Sequence, residues 1–301
     1  MQQQDEDDLE LSPEALAALT EFAVQHGLVD TAGVANATDL RKTVQESCAV
    51  VDREECFEYV YGDKLEQKSS SSSNSSHSSN MPQVVNLRLY GWKRELGQQL
   101  DSTGLTMWRA GEDLGRYLWE KRVTLFGGGQ QDMLQEQGGR HVLELGCGLG
   151  LCGLLASLLN PKGVVVLTDG DELTMEKLAV NVMENTVRNG CAVMARTLLW
   201  GNHQELVIEF PDLFDLVLAA DVIYEEAAIV PLLQTVVATL KEGPEALFLL
   251  SFARRNVSIE KVLKAAQKMG LVCEADESFV CGVKGEHVYI IRRARQQQSH
   301  N

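Results

Sequence analysis

The sequence is short of the features that would place it in several broad classes. Its seven cysteines (48, 56, 147, 152, 191, 273 and 281) form no CxxC pair and no His/Cys spacing of a metal site, and an odd count suits no disulfide framework. They read as reduced thiols acting as small apolar residues, and no metal is expected. No run of about 18 apolar residues is present to span a bilayer. The opening Met1-Gln2-Gln3-Gln4-Asp5-Glu6-Asp7-Asp8 is polar and acidic where a signal peptide would be apolar. Basic residues are also scarce: 27 Lys and Arg against 43 Asp and Glu give a net charge of −16. Residues 1–80 hold 16 of the acids and 5 of the bases, so the excess is mostly N-terminal. Without a basic stripe, direct nucleic-acid binding is not expected. The reading is a soluble monomer of the cytoplasm or nucleus, with no membrane association. The acidic balance suits a basic protein partner or plain solvation.

What is present divides at a serine tract. At 301 residues the chain suits one large domain with an appendage. Residues 1–68 read as an acidic, partly helical extension. Ser12-Pro13-Glu14 starts a helix with a capping hydroxyl, a proline that needs no amide and an acid at the positive dipole end. One or two more helices are expected over 38–62. Residues 69–82 are nearly all serine at first and cannot offset their ordering entropy by burial, so a flexible linker is predicted. The domain proper runs from 83 to 295, with a tail at 296–301.

Within that domain, strand and helix patterns alternate. Strands are predicted at 84–90, 141–145, 164–169, 194–199, 214–220 and 246–251, with closing strands near 271–277 and 286–293. The last of these is polar enough for a sheet edge. Helices are predicted after Trp108, over 151–159, 171–188, 229–240 and 258–269. Such alternation dictates an α/β, mostly parallel sheet with helices on both faces, and the expected fold is a Rossmann-like sheet of seven strands. Two final strands with no helix between them make an antiparallel C-terminal hairpin.

The chain is organised around Glu144-Leu145-Gly146-Cys147-Gly148-Leu149-Gly150, a buried strand running into alternate glycines and then an apolar helix. A glycine turn feeding a helix N-terminus suits a ligand that must approach backbone closely. The same letters fit a dinucleotide fingerprint through Gly148, Gly150 and Gly153. Ligands of such sheets sit beyond the carboxyl ends of the strands. Four successive strand ends deliver Glu144 with the glycines, Asp169, Trp200, and Asp221 with Tyr224. Asp169 can accept hydrogen bonds from a ribose or cap the helix that follows. Glu144 can orient the turn or meet a cationic amino group. Trp108 is a core tryptophan or a lid over a flat group.

This glycine stretch resembles motif I of class I S-adenosylmethionine-dependent methyltransferases. Together with the Trp108 segment, Leu199-Trp200-Gly201 and Asp221-Val222-Ile223-Tyr224, it resembles methyltransferase family 16 over about residues 84–293. The resemblance implies a protein-lysine N-methyltransferase with S-adenosylmethionine as cofactor and a protein as substrate. It implies a cofactor pocket lined by Trp108, Glu144, Gly146, Cys147, Gly148, Asp169, Trp200 and Ala220, with Asp221 and Tyr224 on the acceptor side. Val222 and Ile223 stand where enzymes acting on planar nitrogens tend to carry prolines, which favours an aliphatic amine. Protein histidine methylation, a non-catalytic binding module and a nicotinamide enzyme are the rival readings; the last leaves Asp221 and Tyr224 unexplained.

Overall fold

Two paired strands precede the main sheet. β1 (Glu54–Gly62) runs antiparallel to β2 (Val84–Trp92), from Glu54 opposite Trp92 to Gly62 opposite Val84. The structure, a computed structural model, describes residues 54–62, 81–94, 102–127, 139–185, 190–253 and 256–294. The helix predicted from Ser12, the serine tract at 69–80 and the tail at 296–301 lie outside the described residues. The sequence predicts β2 but not β1: residues 54–62 are extended where a helix is expected over 38–62. The reason is period. Phe57, Tyr59 and Tyr61 alternate with Glu58 and Val60, and aromatic side chains suit a pleated, half-buried surface. Phe57 and Tyr61 are buried while Val60 is exposed. A domain boundary at 83 therefore falls between two paired strands.

The chain continues through α1 (Arg109–Glu120), α2 (Arg122–Phe126), β3 (His141–Leu145), α3 (Leu151–Leu159), β4 (Val164–Asp169), α4 (Glu172–Asn185) and β5 (Ala192–Thr197). Next come α5 (Gln204–Glu209), β6 (Leu216–Ala220), α6 (Ile229–Thr239), β7 (Leu247–Phe252), α7 (Ile259–Lys268), β8 (Leu271–Ala275) and β9 (His287–Arg293). The seven-stranded sheet has the order β5-β4-β3-β6-β7-β9-β8, parallel from β5 to β7 and antiparallel at β7–β9 and β9–β8. The chain steps outward from β3 to β5, then crosses back to β6, so β3 and β6 flank the switch point where such sheets bind ligands.

Period-two alternation along β3 builds two cores. Val142 faces the layer of α1, α3 and α4, while Leu143 and Leu145 face α6 and α7. Leu154, Leu155 and Leu159 of α3 are fully buried, each contributing about 1.5–3 kcal/mol of apolar transfer.

β9 corrects the sequence reading. It lies between β7 and β8, and β8 forms the edge. Val288 and Ile291 are fully buried, and the polar residue that suggests an edge has a task of its own. The Arg293 guanidinium donates to the Leu240 carbonyl at 2.8 Å, and also to those of Val237 and Lys241, closing the C-terminal end of α6. α5 is a further element that the sequence does not announce, because six residues show no helical period.

Candidate active site

The turn after β3 holds three glycines in left-handed conformation: φ is +64° at Gly146, +53° at Gly148 and +88° at Gly150. A Cβ at Gly146 would sit 2.8 Å from Val222 Cγ1, so both backbone angle and space require glycine there. Three N–H groups of the turn have their own partners. Cys147 N–H donates to the Thr168 carbonyl (2.9 Å), Gly148 N–H to Asp169 Oδ2 (3.0 Å) and Gly150 N–H to the Cys147 carbonyl (2.8 Å).

Gly150 precedes α3 and brings no capping side chain, so the strand supplies one. Glu144 Oε2 accepts from Gly153 N–H at 2.7 Å, in the first turn of the helix. Glu144 thus orients the helix that follows the turn, while also lining the cavity. It is buried, and desolvation pushes its carboxyl up to about 8 against the lowering effect of the Gly153 bond.

At the end of β4 two carboxylates divide the labour. Asp171 caps α4, accepting from Thr174 N–H at 2.7 Å and from the Ser102 hydroxyl at 2.6 Å. Burial alone would raise its carboxyl, but these bonds outweigh that and hold it below its ordinary value. Asp169 is not the cap. It accepts from Gly148 N–H and, at 3.2 Å, from Asp171 N–H. Burial raises its carboxyl, partly offset by those amides. A carboxylate offers about four acceptor positions, so Asp169 keeps capacity for a hydroxyl-bearing ligand.

β6 ends at Ala220, and Asp221 follows with φ +58°. Left-handed backbone is unfavourable for most residues and least so for Asp and Asn. Strain of this kind at a cavity wall is the usual mark of a positioned side chain. Asp221 is buried and its N–H donates to the Ser251 carbonyl at 3.0 Å. Tyr224 is half exposed, its hydroxyl 3.4 Å from Thr103 Oγ1. Trp108 stands at the start of α1, half-buried and in neither core; its indole N–H donates to the Thr103 carbonyl at 2.8 Å, and the residue lines the cavity.

These groups enclose one cavity of about 300 Å³. It is lined by all ten residues singled out from the sequence: Trp108, Glu144, Gly146, Cys147, Gly148, Asp169, Trp200, Ala220, Asp221 and Tyr224. Ser102, Thr103, Asp171, Leu198 and Leu199 line it as well. For Asp171 a signal exists, since Asp-x-x-Thr is capping spacing. Ser102 and Thr103 carry none, because a serine beside a threonine is ordinary loop sequence. Among the described residues no group of three or more His, Cys, Asp or Glu side chains could hold a metal ion.

Residues 94–269 match the model of a family described as lysine methyltransferase. A calmodulin-lysine N-methyltransferase of Arabidopsis thaliana is 27% identical over 196 residues, 64% of this chain and 60% of that protein. The protein N-lysine methyltransferase METTL21A of Xenopus tropicalis is 43% identical over 31% of this chain and 41% of its own length. An EEF1A lysine methyltransferase 3 of the same frog is 33% identical over 46% of this chain and 58% of its own. The chain therefore spans roughly two-fifths to three-fifths of the relatives it matches. With the matched segment running from just after β2 to the end of α7 and covering more than half of the sequence, the chain belongs to the lysine methyltransferase family.

Proposed function

We propose that this chain is an S-adenosylmethionine-dependent protein-lysine N-methyltransferase. One observation carries the reading: the glycine turn and Asp169 share a single cavity of about 300 Å³ with Asp221 and Tyr224. Residues suited to a nucleoside and residues suited to an amine thus meet in one space. The residues fit the cofactor: Asp169 offers acceptors for ribose hydroxyls, Trp108 and Trp200 offer aromatic faces, and the turn offers close backbone. S-adenosylmethionine, when bound, supplies a sulfonium methyl group that needs no further activation.

The chain's own task is alignment and exclusion of water. A lysine ammonium has no lone pair and an ordinary pKa of about 10.4, so it must lose a proton before it can act as a nucleophile. The Asp221 carboxylate attracts and orients that ammonium, and the Tyr224 ring packs against its aliphatic stem. The relatives named for calmodulin and EEF1A support a protein as substrate. We place the enzyme in the cytosol or nucleus as a monomer, in keeping with six free thiols among the described residues.

The test is incubation of the purified chain with methyl-labelled S-adenosylmethionine and a cell extract, with the label mapped by mass spectrometry. A label on lysine is expected. A label on histidine would change the acceptor. No label despite cofactor binding would leave a binding module, and binding of NAD instead would overturn the cofactor.

A further inference from the structure

Asn181 touches neither the reacting side chains nor the cavity, yet it joins three parts of the molecule. It lies on α4 and is fully buried. Its Oδ1 accepts from Tyr90 N–H at 2.7 Å, and its Nδ2 donates to the Tyr90 carbonyl at 3.1 Å. The side chain thus pairs with β2 as a neighbouring strand would. One turn later Asn185 repeats the pattern on Arg88, accepting at 3.0 Å and donating at 2.8 Å. The two differ in where the other amide bond goes: Asn181 Nδ2 donates to the Leu149 carbonyl at 3.0 Å, whereas Asn185 Nδ2 donates to the backbone carbonyl of Asn181 at 2.7 Å, within its own helix.

That carbonyl belongs to the peptide between Leu149 and Gly150, inside the glycine turn. Leu149 flanks this plane on one side and the left-handed Gly150 on the other. Glycine adopts either sign of φ at little cost, so no side chain resists rotation of the plane from the Gly150 side. Cross-bonds must hold it. Its N–H is held within the turn by the Cys147 carbonyl, and its carbonyl is anchored from outside by Asn181. Every hydrogen of the amide is used, as a fully buried amide requires.

We infer that Asn181 is a positioning residue for the cofactor turn, locking the peptide at Leu149 and coupling it to the β1–β2 ribbon. The inference rests on the reading that this turn holds S-adenosylmethionine. It separates two roles that look alike: Asn181 sets the turn, whereas Asn185 only fastens the ribbon.

The experiment compares Asn181→Leu, Asn181→Ser and Asn185→Leu in the full chain. Two quantities are read: hydrogen exchange over residues 145–151 without ligand, and S-adenosylmethionine affinity by calorimetry. The serine variant leaves room for a water and covers the case in which the leucine variant does not fold. Faster exchange over the turn and an affinity loss of about tenfold or more are expected for the folded Asn181 variants. Asn185→Leu should lower the melting temperature while leaving both quantities as in the wild type. Unchanged exchange and affinity in Asn181→Ser would overturn the inference, as would equal losses in Asn185→Leu. Wild-type protein that binds no S-adenosylmethionine would overturn the functional reading itself. Accelerated exchange in Asn181→Ser alone would still establish the lock on the turn.

Discussion

Asp169 and Asp171 have the same side chain two residues apart, and their bonds give them different consequences on mutation. Asp169→Ala removes the acceptor that the cavity keeps for a ligand, so S-adenosylmethionine binding should weaken by about 1.5–3 kcal/mol, the range of a hydrogen bond to a charged group. Calorimetry reads it, and unchanged affinity would make Asp169 a brace for Gly148 alone. Asp171→Ala should instead first cost helix stability, about 0.5–2 kcal/mol, through the lost cap on Thr174. Glu144 gives a pH signature. Its carboxyl is pushed from 4.5 to about 8, so between those values the folded chain holds a proton that the unfolded chain has released. The contribution is complete below pH 4.5 and declines as pH rises through about 8, at no more than about 1.4 kcal/mol per pH unit. Glu144→Gln keeps an acceptor for Gly153 and should flatten that decline in denaturation measured at several pH values. A slope equal to that of the wild type would mean Glu144 is ionised in the fold. Asp221→Asn tolerates the same left-handed backbone but lacks the charge, so turnover should fall while the fold stands. Misplacing an acceptor by 1 Å costs on the order of a hundredfold, and near-normal single-turnover rates would remove Asp221 from the acceptor side. Glu144, the glycines, Asp169, Trp200, Asp221 and Tyr224 are legible in sequence because strand ends converge at the switch point of a parallel sheet, whereas Trp108, Cys147 and Ala220 are assigned to the cavity by the family resemblance. Which of Asp169 and Asp171 caps the helix is not legible, since either spacing precedes it.

At the scale of elements, the β1–β2 ribbon is what the sequence obscures. Glu54, Glu55 and Glu58 give β1 the look of a charged helix surface, yet two of these acids have an extended-strand use. Glu54 pairs with Lys177 of α4, and Glu58 pairs with Arg88 across the ribbon. Tyr59 donates to Glu112 of α1 at 2.9 Å, and Arg94 forks the same carboxylate. The partners lie 30 to 123 residues away, beyond any local pattern. The same holds for β9, whose Arg293 reads as suited to an edge until its carbonyl partners at and just beyond the end of α6 are known. The main sheet is readable for the opposite reason: strands buried on both faces are continuous apolar runs that need no partner to be recognised. The ribbon's weight can be measured. Phe57 is buried in the same core as Leu87, Leu89 and Leu118, so Phe57→Ala should cost about 3–5 kcal/mol. Chemical denaturation showing under 1 kcal/mol would mean that β1 is dispensable. Cutting the chain after residue 80 removes β1 whole, takes Phe57 and Tyr61 out of the core and leaves the edge of β2 unpaired, so that fragment should melt far lower or precipitate.

Half of the net charge of the whole molecule precedes β1 in the sequence. Residues 1–53 carry 11 acids and 3 bases, while the buried ribbon begins at Glu54. A chain starting at Glu54 should therefore keep the core and the cavity while losing much of the net charge of −16. If the acceptor is a lysine in a basic segment of a protein, the acidic excess acts chiefly on encounter, since opposite potentials steer the partners together and change association rate more than affinity. At low ionic strength the full chain should then methylate a basic acceptor faster than the shortened one, by roughly tenfold at the lower end of known steering effects. At about 1 M salt the screening length falls to about 3 Å and the two rates should converge. S-adenosylmethionine affinity should match in both chains at either salt, because the turn, Asp169 and Asn181 all lie beyond residue 53. The measurement is kcat/KM for one basic protein acceptor across a salt series. Parallel salt curves for the two chains would show that the acidic segment serves solvation and has no part in substrate encounter. A shortened chain with weakened cofactor affinity would place residues 1–53 in the fold itself.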